Sequence, residues 1–142
     1  MPTNELLLQI PLYTLVFGVP LWALVAGGKT EKLSALIFLA ATIATNFAGL
    51  FVSYKHAGTL LLAIDGTMAL CYLALAIIKG HLWIALMMLS ISFVFCIHAF
   101  YQMNGRSLDE TFALASNGAT VILLLGLAIG VWTSRHRTEE EA

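Results

Sequence analysis

Asp65 lies inside an apolar stretch, residues 58–78, that is long enough to cross a bilayer. A carboxylate left unpaired in hydrocarbon costs several kcal/mol, so a chain that keeps one there must pair it, hydrate it or protonate it. Held on those terms, it can anchor a polar ligand, exchange a proton or tie helices together. Three further polar residues fall in other apolar stretches: Asn46, His98 and Asn117. Asn46 belongs to a stripe with Thr42, Thr45, Gly49 and Ser53, whose spacings put all five on one face of a helix. In lipid, such a small and polar stripe must point at protein, either to pack a neighbouring helix or to line a ligand groove. Gln9 and Tyr13, four residues apart, share a face in the first apolar stretch.

Other chemistries lack their residues. There is no Cys-x-x-Cys, no glycine-rich phosphate loop and no His–Glu spacing suited to a metal, so neither a metal nor a cofactor is expected. Haem held between two helices would have to draw on His98 and the more superficial His56. An acid–base enzyme acting on a lipid or quinone could use Asp65 with His98, but no nucleophile or oxyanion donor accompanies them. A net charge of -1 gives no reason to expect a nucleic-acid partner.

The elements that must position these residues follow from composition. Of the 142 residues 60% are apolar and 11% charged, and the charges cut the chain into five apolar runs at about 6–26, 33–53, 58–78, 82–101 and 111–132. The expected fold is all-α: one domain, a polytopic bundle of five transmembrane helices, with 133–142 as a solvated tail. An N-terminus outside and a C-terminus inside would place Lys29, Lys32, Lys79, Arg135 and Arg137 on the inner side, against Lys55 and Arg106 on the outer side. This bias follows the positive-inside rule and sets an N-out, C-in topology for a multi-pass protein. Trp22, Trp83 and Trp132 then mark inner ends as an interfacial belt, and Tyr54 and Tyr101 mark outer ends. On this topology Asn46, Asp65, His98 and Asn117, from four different spans, all fall in the outer half of the membrane.

Local signals refine the ends. Pro11 and Pro20 interrupt the hydrogen bonding of the first span, and the short Lys79-Gly80-His81 turn makes spans three and four an antiparallel hairpin. Thr30 is expected to cap the second helix. Ser107-Leu108-Asp109-Glu110 has the form of a capping box opening the fifth. The acids Glu139, Glu140 and Glu141 are expected in a disordered tail. Cys71 and Cys96 are too far apart in depth to bridge and read as small buried hydrophobes. Gly126 and Gly130 form a small-xxx-small pair 180° around the helix from Asn117, which would turn them outward as a face for another helix or a second copy.

Pro20-Leu21-Trp22 in the first span, Asp65 early in the third, Trp83 opening the fourth and His98 near its end together resemble a group of small polytopic inner-membrane proteins of alphaproteobacteria to which no activity is assigned. The resemblance implies membrane topology and an Asp–His pairing, and leaves the Asn46 stripe outside it. The leading expectation is a non-catalytic protein whose Asp65, His98, Asn46 and Asn117 bind a small ligand or lipid, or which serves as an accessory subunit docking a membrane-protein partner or a homodimer in the bilayer. The alternatives are a proton-coupled carrier or channel using Asp65, and a lipid- or quinone-modifying enzyme.

Overall fold

The computed structural model describes the backbone of residues 3–51, 54–106 and 109–140, and the side chains of 11, 13–48, 58–106 and 109–136. Five helices follow one another: α1 (Thr3–Ala26), α2 (Lys29–Phe51), α3 (Tyr54–Lys79), α4 (Leu82–Met103) and α5 (Glu110–Glu140). Among the described residues there is no strand. Lys29–Ala48, Gly58–Lys79, Leu82–Met103 and Glu110–His136 are long and apolar enough to cross a membrane, and α1 adds an apolar Tyr13–Ala26. The outward faces carry large apolar side chains, Val25, Leu70, Ile77, Ile78, Leu82 and Leu114 among them, each more than two-thirds exposed. Water would not tolerate so continuous an apolar surface. Four helices of that length and apolarity are compatible with a multi-pass membrane protein.

Each helix packs on its neighbours in sequence, and α5 returns to α1, so the five close into a ring that α5 also spans by touching α2. Short turns make successive helices antiparallel, and an odd number then leaves one parallel seam, between α1 and α5. The turns are hard-wired by glycine. Gly80, with φ +64°, ends α3, and its N–H bonds the carbonyl of Ala76 at 2.9 Å. Gly105, with φ +59°, ends α4 in a Schellman motif: its own N–H bonds Gln102 O at 3.2 Å and that of Arg106 bonds Tyr101 O at 3.0 Å. The apolar contact usual between these two positions is replaced by the Arg106 guanidinium, 5.4 Å from the Tyr101 ring centre.

The ring is not equally filled along its length. Its Gly80 end is solid, with Ala23, Ala35, Tyr72, Leu75, Trp83, Ile84, Met87, Leu127 and Val131 buried together. Tyr72 is fully buried there and donates its hydroxyl to Ser34 O at 2.8 Å, fastening α3 to α2.

Several local expectations are corrected. α2 begins at Lys29, so Gly28 rather than Thr30 precedes the first turn, and Lys32 N bonds Gly28 O at 3.0 Å. α5 begins at Glu110, and its cap is Asp109, whose Oδ1 accepts from Phe112 N at 2.9 Å. That register rules out Glu110 as the third residue of a capping box; Ser107 lies outside the described residues. The same Asp109 oxygen accepts from Tyr101 Oη at 2.8 Å, tying the end of α4 to the start of α5. α5 runs on through Glu140, so Glu139 and Glu140 are helical rather than disordered; Glu141 lies outside the described residues. Cys96 is exposed and Cys71 half-buried, not packed in the core. Trp22 and Trp132 are exposed, but Trp83 is buried.

That burial explains the glycine pair. A methyl on Gly130 would come within 2.8 Å of Trp83 Cδ2 and Cε2, and one on Gly126 within 2.9 Å of Met87 Cγ. Gly126 and Gly130 therefore form the notch that receives α4 of the same chain, and are covered rather than turned outward as an oligomer face. The 180° argument fails because the buried arc of α5, from Gly126 round to Leu124, spans about 160° at 100° per residue. Asn117 lies just beyond one edge of that arc and Gly126 marks the other.

Candidate functional site

Toward the Gly105 end the ring opens into a cavity of about 420 Å³ with walls from all five helices. That is the size of a small-molecule site and far larger than a single water requires. Its lower part is apolar, formed by Val16, Phe38, Met68, Ile91 and Leu123. Its upper part holds Tyr13 from α1, Asn46 from α2, Asp65 from α3, His98 from α4 and Asn117 from α5. The four residues selected from sequence thus share one wall. Within the stripe on α2, Thr42, Thr45 and Asn46 reach the cavity; the surroundings of Gly49 and the side chains of Ser53, Gln9 and His56 lie outside what the structure describes.

The centre of the polar part is a bond of 2.9 Å between His98 Nδ1 and Asp65 Oδ2. The His98 side chain is 4% exposed and that of Asp65 18%. The α3–α4 hairpin delivers them. Thr59 lies 21 residues before Gly80 and Gln102 lies 21 after His81, and Gln102 Nε2 donates to Thr59 Oγ1 at 3.2 Å. Deeper in the same seam, a methyl on Gly66 would sit 3.1 Å from the Phe95 ring, so the helices approach closely. Asp65 is 15 residues from the turn and His98 is 17. The offset of two residues is only about 3 Å of helix rise, which the two side chains span.

Aromatic rings hold the imidazole from the other side. Phe112 of α5 lies 5.1 Å from the His98 ring and 5.3 Å from that of Tyr101, centre to centre. Since Asp109 caps the turn that carries Phe112 and also binds Tyr101, the connection between α4 and α5 steadies the cavity at this end. The Asp109 carboxyl is held below the usual carboxylate range, chiefly by the Phe112 N–H and then by the Tyr101 hydroxyl.

Three hydroxyls in the wall are satisfied by their own helices: Thr42 Oγ1 donates to Phe38 O, Ser90 Oγ to Leu86 O and Thr120 Oγ1 to Ser116 O, each at 2.9 Å. Asn46 Nδ2 donates to Thr42 O at 2.8 Å. Two buried atoms in the wall differ. His98 Nε2 and Ser116 Oγ have no hydrogen-bond partner. Buried polar groups are nearly always satisfied, and the exceptions call for an occupant or a role.

Ser116 and Phe112 escaped the sequence reading. The signal was present, because Phe112, Ser116, Thr120 and Leu123 fall at spacings of four, four and three on one face of α5. A serine in an apolar helix usually bonds its own backbone, and nothing local marks this one as different. Among the described residues no group of His, Cys, Asp and Glu is arranged to hold a metal. Comparison of the chain with protein-family models, with curated proteins and with solved structures finds no match.

Proposed function

We propose that this membrane protein holds a small ligand in the cavity between its five helices without transforming it, as a binding protein or as the ligand-carrying accessory subunit of a membrane assembly. The observation that carries the reading is the 420 Å³ cavity whose wall contains the Asp65–His98 pair and two buried, unpartnered polar atoms, His98 Nε2 and Ser116 Oγ. A purely structural Asp–His tie would need neither the cavity nor the two open valences. The apolar floor of Phe38, Met68, Ile91 and Leu123 favours retention over passage to the other side.

In this reading the protein sits in the inner membrane with its N-terminus outside, so the cavity faces the outer leaflet. The supporting observation is the five-to-two distribution of Lys and Arg between the two ends. A reporter enzyme fused after Arg137 tests it: activity is expected in the cytoplasm, and activity on the periplasmic side rejects the orientation.

Ligand retention is tested by extracting the full chain in native lipid and recording its intact mass under non-denaturing conditions. A stoichiometric adduct is expected, lost in His98→Leu. A bare chain from native lipid, with His98→Leu equally bare and equally stable, rejects the binding reading.

A further inference from the structure

We infer that the ligand is an uncharged amphiphile carrying a hydroxyl, an alcohol or phenol on an apolar body, whose hydroxyl meets His98 Nε2 and Ser116 Oγ. This inference rests on the binding reading above and specifies its chemistry. It starts from the tautomer. In a neutral imidazole bonded through Nδ1 to the Asp65 carboxylate, the proton belongs on Nδ1 and the lone pair on Nε2. Nε2 is then an acceptor, buried and unpartnered, on a residue that lines the open-sided cavity. What enters must bring a donor.

Ser116 Oγ is also without a partner, and a serine hydroxyl can both give and accept. A ligand hydroxyl has the same double capacity, so it can donate to the imidazole and accept from the serine. A ketone or ether can accept from Ser116 but has nothing to give Nε2.

Charge removes the other classes. No Lys or Arg is among the described residues lining the cavity, while Asp65 is, so a carboxylate or phosphate head would meet a like charge without a counter-ion. An ammonium would shed its hydration beside Phe38, Met68 and Leu123 for a carboxylate already engaged by the imidazole. A neutral hydroxyl avoids both penalties, and the apolar floor accepts the hydrocarbon below it.

The order of polarity along the cavity fits the same molecule. Polar side chains gather toward the Gly105 end and apolar ones toward the Gly80 end, so the hydroxyl sits high and the body points down into the bundle. The aromatic ring of Phe112, beside the imidazole, gives the upper part of the body an apolar wall.

The experiment uses the full chain in nanodiscs and three probes with one body and different heads: farnesol, farnesoic acid and farnesylamine. Binding is read by the imidazole nitrogen resonances of histidine-labelled protein and by thermal protection. Farnesol is expected to saturate, to move the Nε2 resonance of His98 and to bind about tenfold more tightly than either charged analogue. Ser116→Ala should weaken farnesol by about tenfold while leaving the fold intact, the loss of roughly one hydrogen bond. His98→Leu should abolish its saturable binding. Tighter binding of the acid or the amine overturns the hydroxyl class but leaves the cavity as a binding site. Failure of all three probes also overturns it; an endogenous adduct of the native chain then preserves the binding reading, and its absence ends both, leaving a cavity filled by water alone.

Discussion

Replacing Gly130 by alanine tests the seam on which the cavity stands. The new methyl would lie 2.8 Å from two carbons of the Trp83 indole and 3.0 Å from a third. Ordinary contact begins near 3.4 Å, so the ring must retreat by about 0.6 Å. It has little room, since Trp83 is buried beside Ile84, Met87 and Val131 in the solid half of the bundle. Overpacking of this kind costs about 1–3 kcal/mol. The substitution also removes a helical glycine, worth about 1 kcal/mol in the other direction. Gly118→Ala isolates that second effect, because nothing lies within 4 Å of a methyl placed there. The expected result is that Gly130→Ala is about 1–3 kcal/mol less stable than Gly118→Ala in equilibrium unfolding in mixed micelles. Crosslinking at dilute protein gives the companion readout. Equal stability of the two variants, with a dimer lost only in Gly130→Ala, would refute the argument and restore the glycines to an intermolecular face.

Three further outcomes follow from the same geometry. Asp65→Asn removes the charge that holds the imidazole proton on Nδ1, so nitrogen resonances should show protonation at Nδ1 in the parent and a shift toward Nε2 in the variant; identical tautomers would show that Asp65 does not orient the ring. Tyr72→Phe deletes the bond to Ser34 O within a solid core and should cost about 1 kcal/mol in the same unfolding assay; an unchanged midpoint would mean that the hydroxyl contributes nothing to the α2–α3 contact. Because the Asp109 carboxyl is depressed in the folded chain, its stabilising contribution is complete above the ordinary carboxylate pKa and disappears as pH falls through the lower, folded value. Amide exchange at Phe112 and Ala113 should therefore accelerate in strong acid relative to the α5 interior, and Asp109→Asn should remove that dependence; a pH-insensitive ratio in the parent would contradict the capping role.

The register of the hairpin was legible once distances were counted from the Gly80 turn. Thr59 with Gln102, and Asp65 with His98, follow from an antiparallel pair with almost no loop between its members. The start of α5 was read two residues too early, because Ser107 and Asp109 are both good caps. Tyr101 decides for Asp109, and that choice depends on how α4 ends.

Sequence alone determined that there are five helices, that four of them are apolar over membrane-spanning lengths, and that polar residues of those four lie at one depth. Those properties are local, because a backbone deprived of water must satisfy itself within its own segment and hydropathy then marks each segment's limits. Which way each helix faces about its axis was decided only by tertiary structure. Lipid is as apolar as a protein core, so a helix clad in leucine and alanine carries little signal of its buried side. Packing of Trp83 into the glycine notch, closure of α5 onto α1, and the resulting cavity around His98 and Ser116 are properties of the assembled ring.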